Sequence, residues 1–323
     1  MRNTVLTVDQ LKKYFVTRQG TVKAVDGISF SVEDGEVFGL VGESGSGKST
    51  VAYTVVGMYR PTEGKIIYRG TDIGQESKQR PRELKKDIQI VFQDPGTSLN
   101  PKRTIRQILE LPLKVHNLGT NEKKPLERAE ELLEMVQLPA SYMYKYPTMI
   151  GGGERQMVGI ARALATDPSF VILDEPTSAL DVSVQAKIIN MLIQFQKKFE
   201  LAYLFITHDL SLMRNVASRI AIMYLGKICE VARASEFFEN PLHPYTQMLL
   251  SSIHVITDKE EALKPKKVIS RGEIPSPVNI PPGCSFHLRC RRKMDVCSME
   301  DPVAKEVSQG HRVRCHLYDA KVV

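Results

Sequence analysis

Eight residues constrain the fold of this chain more than any others: Gly42-Glu43-Ser44-Gly45-Ser46-Gly47-Lys48-Ser49. They fit the pattern G-x-x-x-x-G-K-S/T, in which glycines let backbone N–H groups turn inward around phosphate oxygens. The compact apolar run Val37-Phe38-Gly39-Leu40-Val41 precedes them, and a helical stretch beginning at Ser49 (STVAYTVVGMYR) follows. A buried strand, a glycine loop and a helix N-terminus in that order form a phosphate cradle. In such a cradle Lys48 reaches the β- and γ-phosphates and the Ser49 hydroxyl ligates Mg²⁺. A plain Gly/Ser turn satisfies the spacing but does not explain the flanking strand and helix.

The rest of the chain reads as α/β. Residues 5–92 read as short β segments around the loop, with Lys65–Tyr68 and Ile88–Phe92 as further strands. Between about 96 and 165 the texture turns helical. ERAEELLEMVQL has helical spacing, and prolines at 101, 112, 125, 139 and 147 punctuate the segment. Strand character returns with Phe170–Leu173 and Ala202–Thr207, separated by a helical stretch over Val184–Glu200. Strand, helix and strand in alternation predict a sheet with helices on its faces. After about 235 the pattern weakens into a helix in NPLHPYTQMLL, a charged linker over 258–267, a proline-rich stretch and a cysteine segment. The expected division is a core over 1–95 and 166–235, a helical subdomain over 96–165 and an appendage over 236–323.

Phe170-Val171-Ile172-Leu173-Asp174-Glu175 supplies the second half of a phosphate site. An apolar strand delivers Asp174 to its polar end, where it can hold the Mg²⁺ shell, and Glu175 beside it can take a proton from an attacking water. Gln93 and His208 also end apolar strands, which is where ligands meet open α/β sheets. Taken alone, each of these two also fits a solvated strand end.

In that setting IGGGERQMVGIARAL followed by FVILDEPTSALD resembles the signature segment and Walker B region of ABC ATPases. The order Gln93, Gly152-Gly153, Asp174-Glu175, Ser178-Ala179-Leu180-Asp181 and His208 matches the family's Q-loop, signature, Walker B, D-loop and switch histidine. The resemblance implies a P-loop NTPase with a RecA-like core, a helical subdomain and a small C-terminal appendage. It implies ATP and Mg²⁺ as ligands, with Gly42 and Ser44, Gly45, Ser46, Gly47, Lys48, Ser49 and Thr50 around the phosphates. It adds Gln93 to Ser49 and Asp174 around Mg²⁺, and names Glu175, His208, Gln93 and Lys48 as the catalytic set. Two copies of such a cassette sandwich two ATP molecules, each between one P-loop and the other copy's signature, so Gly151, Gly152, Gly153, Glu154 and Asp181 face the partner's nucleotide. Phe15 sits where the family stacks a ring on adenine, with Tyr14 as the competing choice.

One departure matters. The signature serine of the family is Gly151 here, so a hydroxyl donor to the partner's γ-phosphate is missing; one such donor is worth on the order of 10²–10³ in rate. This predicts a pair of different ATPases with unequal sites, this chain's own P-loop being the more active.

The segments VFQDPGTSLNP, NPLHPYTQMLLSS and GEIPSPVNIPPGCSFHLRC resemble the oligopeptide/dipeptide importer branch, and look closest to its second ATPase. That implies a second, different ATPase subunit, two transmembrane permease subunits and, indirectly, an external solute-binding protein. The branch also holds nickel and oligosaccharide importers. Residues Asp94 to Pro101 are expected to line the groove for a membrane-subunit coupling helix.

Four tail cysteines, Cys284, Cys290, Cys297 and Cys315, stand apart from Cys229 in its apolar segment. Four thiolates suit an iron–sulfur cluster or tetrahedral zinc. The resemblance implies a 4Fe–4S cluster, with Zn²⁺ as the alternative.

Composition narrows the remaining classes. No apolar run approaches the roughly 20 residues of a membrane span, and MRNTVLTVDQLKKYF lacks the features of a signal peptide, so residence on the cytosolic side is expected. The net charge of +7 fits nucleic acid, a membrane surface or anionic phosphates alike. No nucleic-acid motif accompanies it, and no nucleic-acid partner is expected. Soluble ABC ATPases acting on DNA or ribosomes carry a long coiled coil or two cassettes, and neither is present. A redox sensor regulated by ATP does not need the complete catalytic set.

Overall fold

The computed structural model describes residues 3–118, 125–253 and 273–319. The charged segment 258–267, read above as a linker, lies outside the described residues.

The chain opens with two 14-residue strands, β1 (Thr4–Thr17) and β2 (Gly20–Glu33), in place of the short segments expected there. Val5, Leu6, Val8 and Leu11 give β1 its buried positions. After β3 (Val37–Val41) and α1 (Lys48–Val55) come β4 (Glu63–Tyr68), β5 (Thr71–Asp72), α2 (Arg82–Asp87) and β6 (Ile88–Val91). A helical stretch follows: α3 (Pro95–Ser98), α4 (Ile105–Val115), α5 (Pro125–Met135) and α6 (Gly152–Leu164). Strands and helices then alternate through β7 (Phe170–Asp174), α7 (Val182–Phe199), β8 (Ala202–Thr207), α8 (Leu210–Val216), β9 (Arg219–Tyr224) and β10 (Lys227–Arg233). The tail adds α9 (Ala234–Glu239), α10 (Pro244–Ser251), β11 (Lys305–Ser308) and β12 (His311–Val313).

The chain divides into two compact units. The first comprises Met1–Val5, Glu33–Glu36 and Gln75–Phe205. Its strands β6 and β7 pair in parallel, Ile88 opposite Phe170 and Val91 opposite Leu173. Every residue of β7 is buried, as a parallel strand covered on both faces requires. Helix α4 starts on a capping box. The Thr104 hydroxyl accepts the Gln107 N–H, and the Gln107 side chain accepts the Thr104 N–H at 3.0 Å. Glu110, 4% exposed, keeps its charge between Arg106 and Lys114 on the same helix, at 2.6 and 2.7 Å. Helix α6 buries Met157, Val158, Ile160, Ala161 and Leu164, and Arg162 donates to the Ser98 carbonyl at 2.6 Å.

The second unit comprises Leu6–Val32, Val37–Gly74 and Ile206–Val323. It holds the sheet β2-β1-β4-β5 and the strands β11-β12-β10-β9-β3. β3 and β9 are parallel, Phe38 opposite Arg219 and Val41 opposite Ile222. β9 and β10 form a hairpin through Leu225-Gly226, both at positive φ. The tail then adds β12 antiparallel to β10, Glu230 opposite Val313, and β11 beyond it.

Candidate nucleotide site

In the second unit the loop between β3 and α1 folds tightly against its neighbours. Gly47 stands at φ 106°, and a Cβ on it would come within 2.0 Å of the Ala24 carbonyl oxygen, so only glycine fits. Ser46 donates its N–H to the Glu43 carbonyl and accepts the Gly226 N–H at 2.9 Å, tying the loop to the β9–β10 turn. Lys48 is buried and its ammonium donates to the carbonyls of Gly42 and Glu43 at 2.8 and 2.9 Å. Ser44 and Gly45 are exposed, whereas Ser49 and Thr50 are half-buried at the start of α1. The same unit carries Phe15 on β1 and His208 just after β8. Phe15 is half-buried, its ring 5.3 Å edge-on from Tyr59, with the Lys13 ammonium 4.9 Å above it. Tyr14 is tied down by a short hydrogen bond from its hydroxyl to Asp26. His208 is exposed, and Asp209 beside it caps α8 by accepting the Ser211 and Leu212 N–H groups.

In the first unit β7 carries Asp174 to full burial, and Glu175 next to it turns into the left-handed region at φ 45°. That conformation is costly for a residue with a Cβ and is held by the surrounding packing. Gln93, exposed just after β6, brings its side-chain amide to 3.3 Å from the Glu175 carboxylate. These two side chains, 82 residues apart in sequence, meet beyond the ends of the parallel strands β6 and β7.

The signature segment lies in the first unit as well. Gly151 precedes α6, and its N–H donates to the Glu154 carboxylate at 2.8 Å, while the Tyr142 hydroxyl donates to the other Glu154 oxygen at 2.5 Å. These two bonds, the Tyr142 hydroxyl first, hold the Glu154 carboxyl below its ordinary range. Gly153 is packed so closely that a Cβ would lie 2.4 Å from Val184 Cγ1. Asp181 caps α7 through the Val184 N–H at 3.0 Å and also accepts the Ser183 hydroxyl. A cleft of about 250 Å³ opens nearby, lined by Gln93, Asp94, Pro95, Gly152, Arg155 and Leu180 among others.

The tail cysteines are all reduced. Cys284 and Cys290 are half-buried, and Cys297 and Cys315 are buried. Each sulfur faces one backbone N–H: Phe286 for Cys284, Arg292 for Cys290, Met294 for Cys297 and Leu317 for Cys315. Burial, with a smaller push from the other cysteines, raises the Cys284 thiol to about 11 and the Cys315 thiol to about 12. Among the described residues no three His, Cys, Asp or Glu side chains converge as a metal-holding group. Cys229 is buried in β10, as an apolar strand position predicts.

Residues 25–178 match the ABC transporter family, and residues 229–297 match the oligopeptide/dipeptide transporter C-terminal region. The oligopeptide transport ATP-binding protein AppF of Bacillus subtilis is 47% identical over 325 residues, covering 98% of both chains. The chain belongs to the ATP-binding proteins of ABC transporters. The putative oligopeptide transport ATP-binding protein YkfD of the same organism is 46% identical, covering 98% of this chain and 96% of its own. Among solved structures, the ATP-binding cassette MJ0796, a dimer in a post-hydrolysis state bound to ADP and Pi, aligns with a TM-score of 0.63. It is 27% identical and covers 71% of this chain and 98% of its own.

As an ABC ATPase the chain has the α/β P-loop fold read from its sequence. Two features of its site were not read there. Glu43 was treated as a variable position of the loop, yet its carboxylate is held by Arg289 from the cysteine segment. Tyr142, which anchors Glu154, lies outside any motif. The basic residues Arg289, Arg291, Arg292 and Lys293 flanking Cys290 signal the first only faintly, and nothing in the sequence signals the second.

Proposed function

We propose that this ABC ATPase hydrolyses ATP at the cytoplasmic face of the cell membrane to drive an oligopeptide importer. Its partners in this reading are two permease subunits, a second and different ATPase subunit and, indirectly, an external solute-binding protein. The full-length likeness to an oligopeptide transport ATP-binding protein, tail included, carries the proposal. No helix among the described residues is long and apolar enough to cross a membrane, so the permeases would supply the path.

In the mechanism the loop amides and Lys48 receive the phosphates. Lys48 already reaches two loop carbonyls, a geometry from which the ammonium can turn to phosphate oxygens. Ser49, Asp174 and Gln93 are the residues that would hold Mg²⁺, which would neutralise phosphate charge. Phe15 stacks on the adenine, since Tyr14 is committed to Asp26. Glu175 accepts the proton of the attacking water, and Gln93 orients that water through the contact it already makes with the carboxylate. His208 donates to the γ-phosphate. Asp94 and the cleft beside it receive a permease coupling helix, so occupancy of Gln93 alters the membrane contact. The division into a core over 1–95 and 166–235, a helical subdomain over 96–165 and an appendage over 236–323 belongs to the same proposal.

Gly151, Gly152, Gly153, Glu154 and Asp181 face the nucleotide of the partner ATPase. Without a serine hydroxyl at 151, and with the Gly151 N–H given to Glu154, that nucleotide meets a weaker donor set. The two sites are therefore unequal, and the P-loop site of this chain turns over faster.

Cys284, Cys290, Cys297 and Cys315 are proposed to hold a 4Fe–4S cluster, with Zn²⁺ as the competing occupant. Four thiols that each face one backbone N–H suit a bound thiolate set, and Arg291, Arg292 and Lys293 beside Cys290 would offset its charge. Cys284, Cys290, Cys297 and Cys315 would be tied together by such a group, which would serve the tail structurally and take no part in ATP hydrolysis.

The test is ATPase activity of the complete transporter in proteoliposomes. Stimulation by peptide-loaded binding protein, with more than tenfold loss in Glu175→Gln, is the expected result. Stimulation by a nickel- or oligosaccharide-loaded binding protein alone would overturn the cargo, and activity indifferent to the permeases would overturn the transport role.

A further inference from the structure

The phosphate-loop motif leaves the residue after its first glycine open, and here that residue, Glu43, has two jobs. Its backbone carbonyl accepts the Lys48 ammonium at 2.9 Å and the Ser46 N–H at 3.2 Å. Its carboxylate accepts a two-pronged pair from Arg289, Nη1 to Oε2 at 2.8 Å and Nη2 to Oε1 at 3.1 Å. Tyr245 closes the ring, its hydroxyl accepting the Glu43 N–H and donating to Oε2, each at 3.2 Å.

Arg289 is only 8% exposed. A guanidinium at that depth is stable only when paired, and its fork matches a carboxylate better than lysine does. Its plane packs 5.6 Å from the Tyr224 ring and 5.8 Å from the Phe286 ring. Phe286 in turn lies 5.3 Å from Tyr224 and 5.2 Å from Tyr245. Aromatic rings from β9, α10 and the cysteine segment thus fix the arginine before it meets the loop.

Arg289 directly precedes Cys290, and the backbone from Cys284 to Cys290 is a run of tight turns. His287 N–H donates to the Cys284 carbonyl at 3.0 Å, Arg289 N–H to Phe286 at 3.0 Å and Cys290 N–H to His287 at 3.4 Å. Backbone hydrogen bonds thus link Arg289 through one run of turns to both Cys284 and Cys290.

We infer that Arg289 is a positioning residue for nucleotide binding, and that through Glu43 the cysteine turn 284–290 sets the affinity of the phosphate loop. The inference rests on the reading that this loop binds ATP. Arg289 touches no nucleotide. It holds the first turn of the loop so that the Glu43 carbonyl and Lys48 keep their register. By reciprocity, whatever changes the cysteine turn changes nucleotide affinity, and bound nucleotide steadies that turn.

Equilibrium binding of Mg-ADP to the full-length protein tests this. Arg289→Gln and Glu43→Gln each weaken ADP binding about tenfold, the order of one lost charge-assisted pair. The double variant binds no worse than either single one, and Arg289→Lys, which keeps the charge but not the fork, recovers part of the loss. Cys290→Ser shifts ADP affinity about fivefold in the otherwise unaltered chain and not in Arg289→Gln. Wild-type affinity in both Gln variants, or strictly additive losses in the double, overturns the inference. If Arg289→Gln does not fold, Glu43→Gln, on the partly exposed side of the pair, decides: wild-type ADP affinity in it, or a Cys290→Ser shift that persists undiminished in the Glu43→Gln background, overturns the inference. Failure of the unaltered protein to bind ADP would strike the ATPase reading itself and is thereby distinguished.

Discussion

Gln93 Nε2 stands 3.3 Å from Glu175 Oε2, a contact between the ends of two parallel strands. Glu175 has no freedom to wander: it is 9% exposed and its backbone sits at positive φ. A carboxylate held so firmly next to an amide is preorganised to take a proton, and its replacement by an isosteric amide removes the base without removing the shape. Glu175→Gln should lower ATP turnover by about 10²–10⁴-fold while ATP binding changes by less than a factor of about three. Phosphate release and equilibrium ATP binding, measured on the same preparation, separate the two effects. Comparable losses in both would show that Glu175 serves binding instead.

The signature helix offers a contrast between adjacent glycines. A methyl group on Gly153 would meet Val184 Cγ1 at 2.4 Å, whereas on Gly152 its nearest neighbour is Leu180 Cδ2 at 3.6 Å. The first needs a shift of a β-branched side chain on α7, and the second is ordinary contact. Gly153→Ala should cost about 1–3 kcal/mol of stability and Gly152→Ala less than about 0.5 kcal/mol. Thermal unfolding of the two variants decides; equal shifts would mean that the spacing between α6 and α7 adapts freely.

A buried imidazole makes the stability of the tail depend on pH. His311 is fully buried between Glu230, whose Oε1 lies 2.8 Å from Nε2, and Glu236, whose Oε1 lies 3.1 Å from Nδ1. Burial opposes the charged ring, but the two carboxylates outweigh it and hold the His311 pKa above its ordinary value. Nε2 hydrogen-bonds Glu230, while Nδ1 lies at ion-pair distance from Glu236 without an aligned hydrogen bond, so both carboxylates favour the charged ring. The stabilisation is therefore fully present below the unfolded pKa of about 6.5 and is lost as pH rises through the higher folded value. Glu230 also accepts the Leu242 and His243 N–H groups, each at 2.8 Å, so it is not stranded when the ring is removed. His311→Gln should cost about 1–3 kcal/mol at pH 6 and progressively less at higher pH. Unfolding temperatures measured from pH 6 to 9 should converge for the two proteins, and parallel curves would refute the assignment.

What could be read from the sequence follows from how each segment is buried. Val37–Val41, Phe170–Asp174 and Ala202–Thr207 are buried throughout, so an unbroken apolar run bounded by polar residues was enough to find them. The long β1–β2 pair was read only as short pieces. Its strands are half exposed, and β1 is interrupted between Asp9 and Lys12, where the pairing with β4 shifts register and Gln10 takes positive φ. Asp174 and Glu175 at the end of β7, and Lys48 at the start of α1, were legible because a phosphate-loop motif and a following acidic strand end place those residue types there. The Arg289–Glu43 pair was not, because its partners are separated by 246 residues and neither belongs to a fixed position of a motif. Pairing of β12 with β10 was hidden for a related reason: β12 is three residues long and carries two charged or polar groups.

The four tail cysteines give a last prediction that does not depend on ATP turnover. The thiols of Cys284, Cys290 and Cys315 are raised by burial and, less strongly, by neighbouring cysteines, so without a ligand these three should be protonated and slow to react at neutral pH. Bound iron or zinc would reverse this by stabilising thiolates, each with a backbone N–H already directed at it. Protein prepared without oxygen should then contain about four iron and four acid-labile sulfide per chain, and lose its visible absorbance on treatment with a chelator and oxidant. One zinc per chain with no sulfide would assign the same four residues to zinc. Cys297→Ser should remove the metal, whereas Cys229→Ser, in β10, should leave it in place. Four thiols that titrate freely in anaerobically isolated protein, with neither metal present, would end the cluster proposal and leave the cysteines as packing residues of the tail.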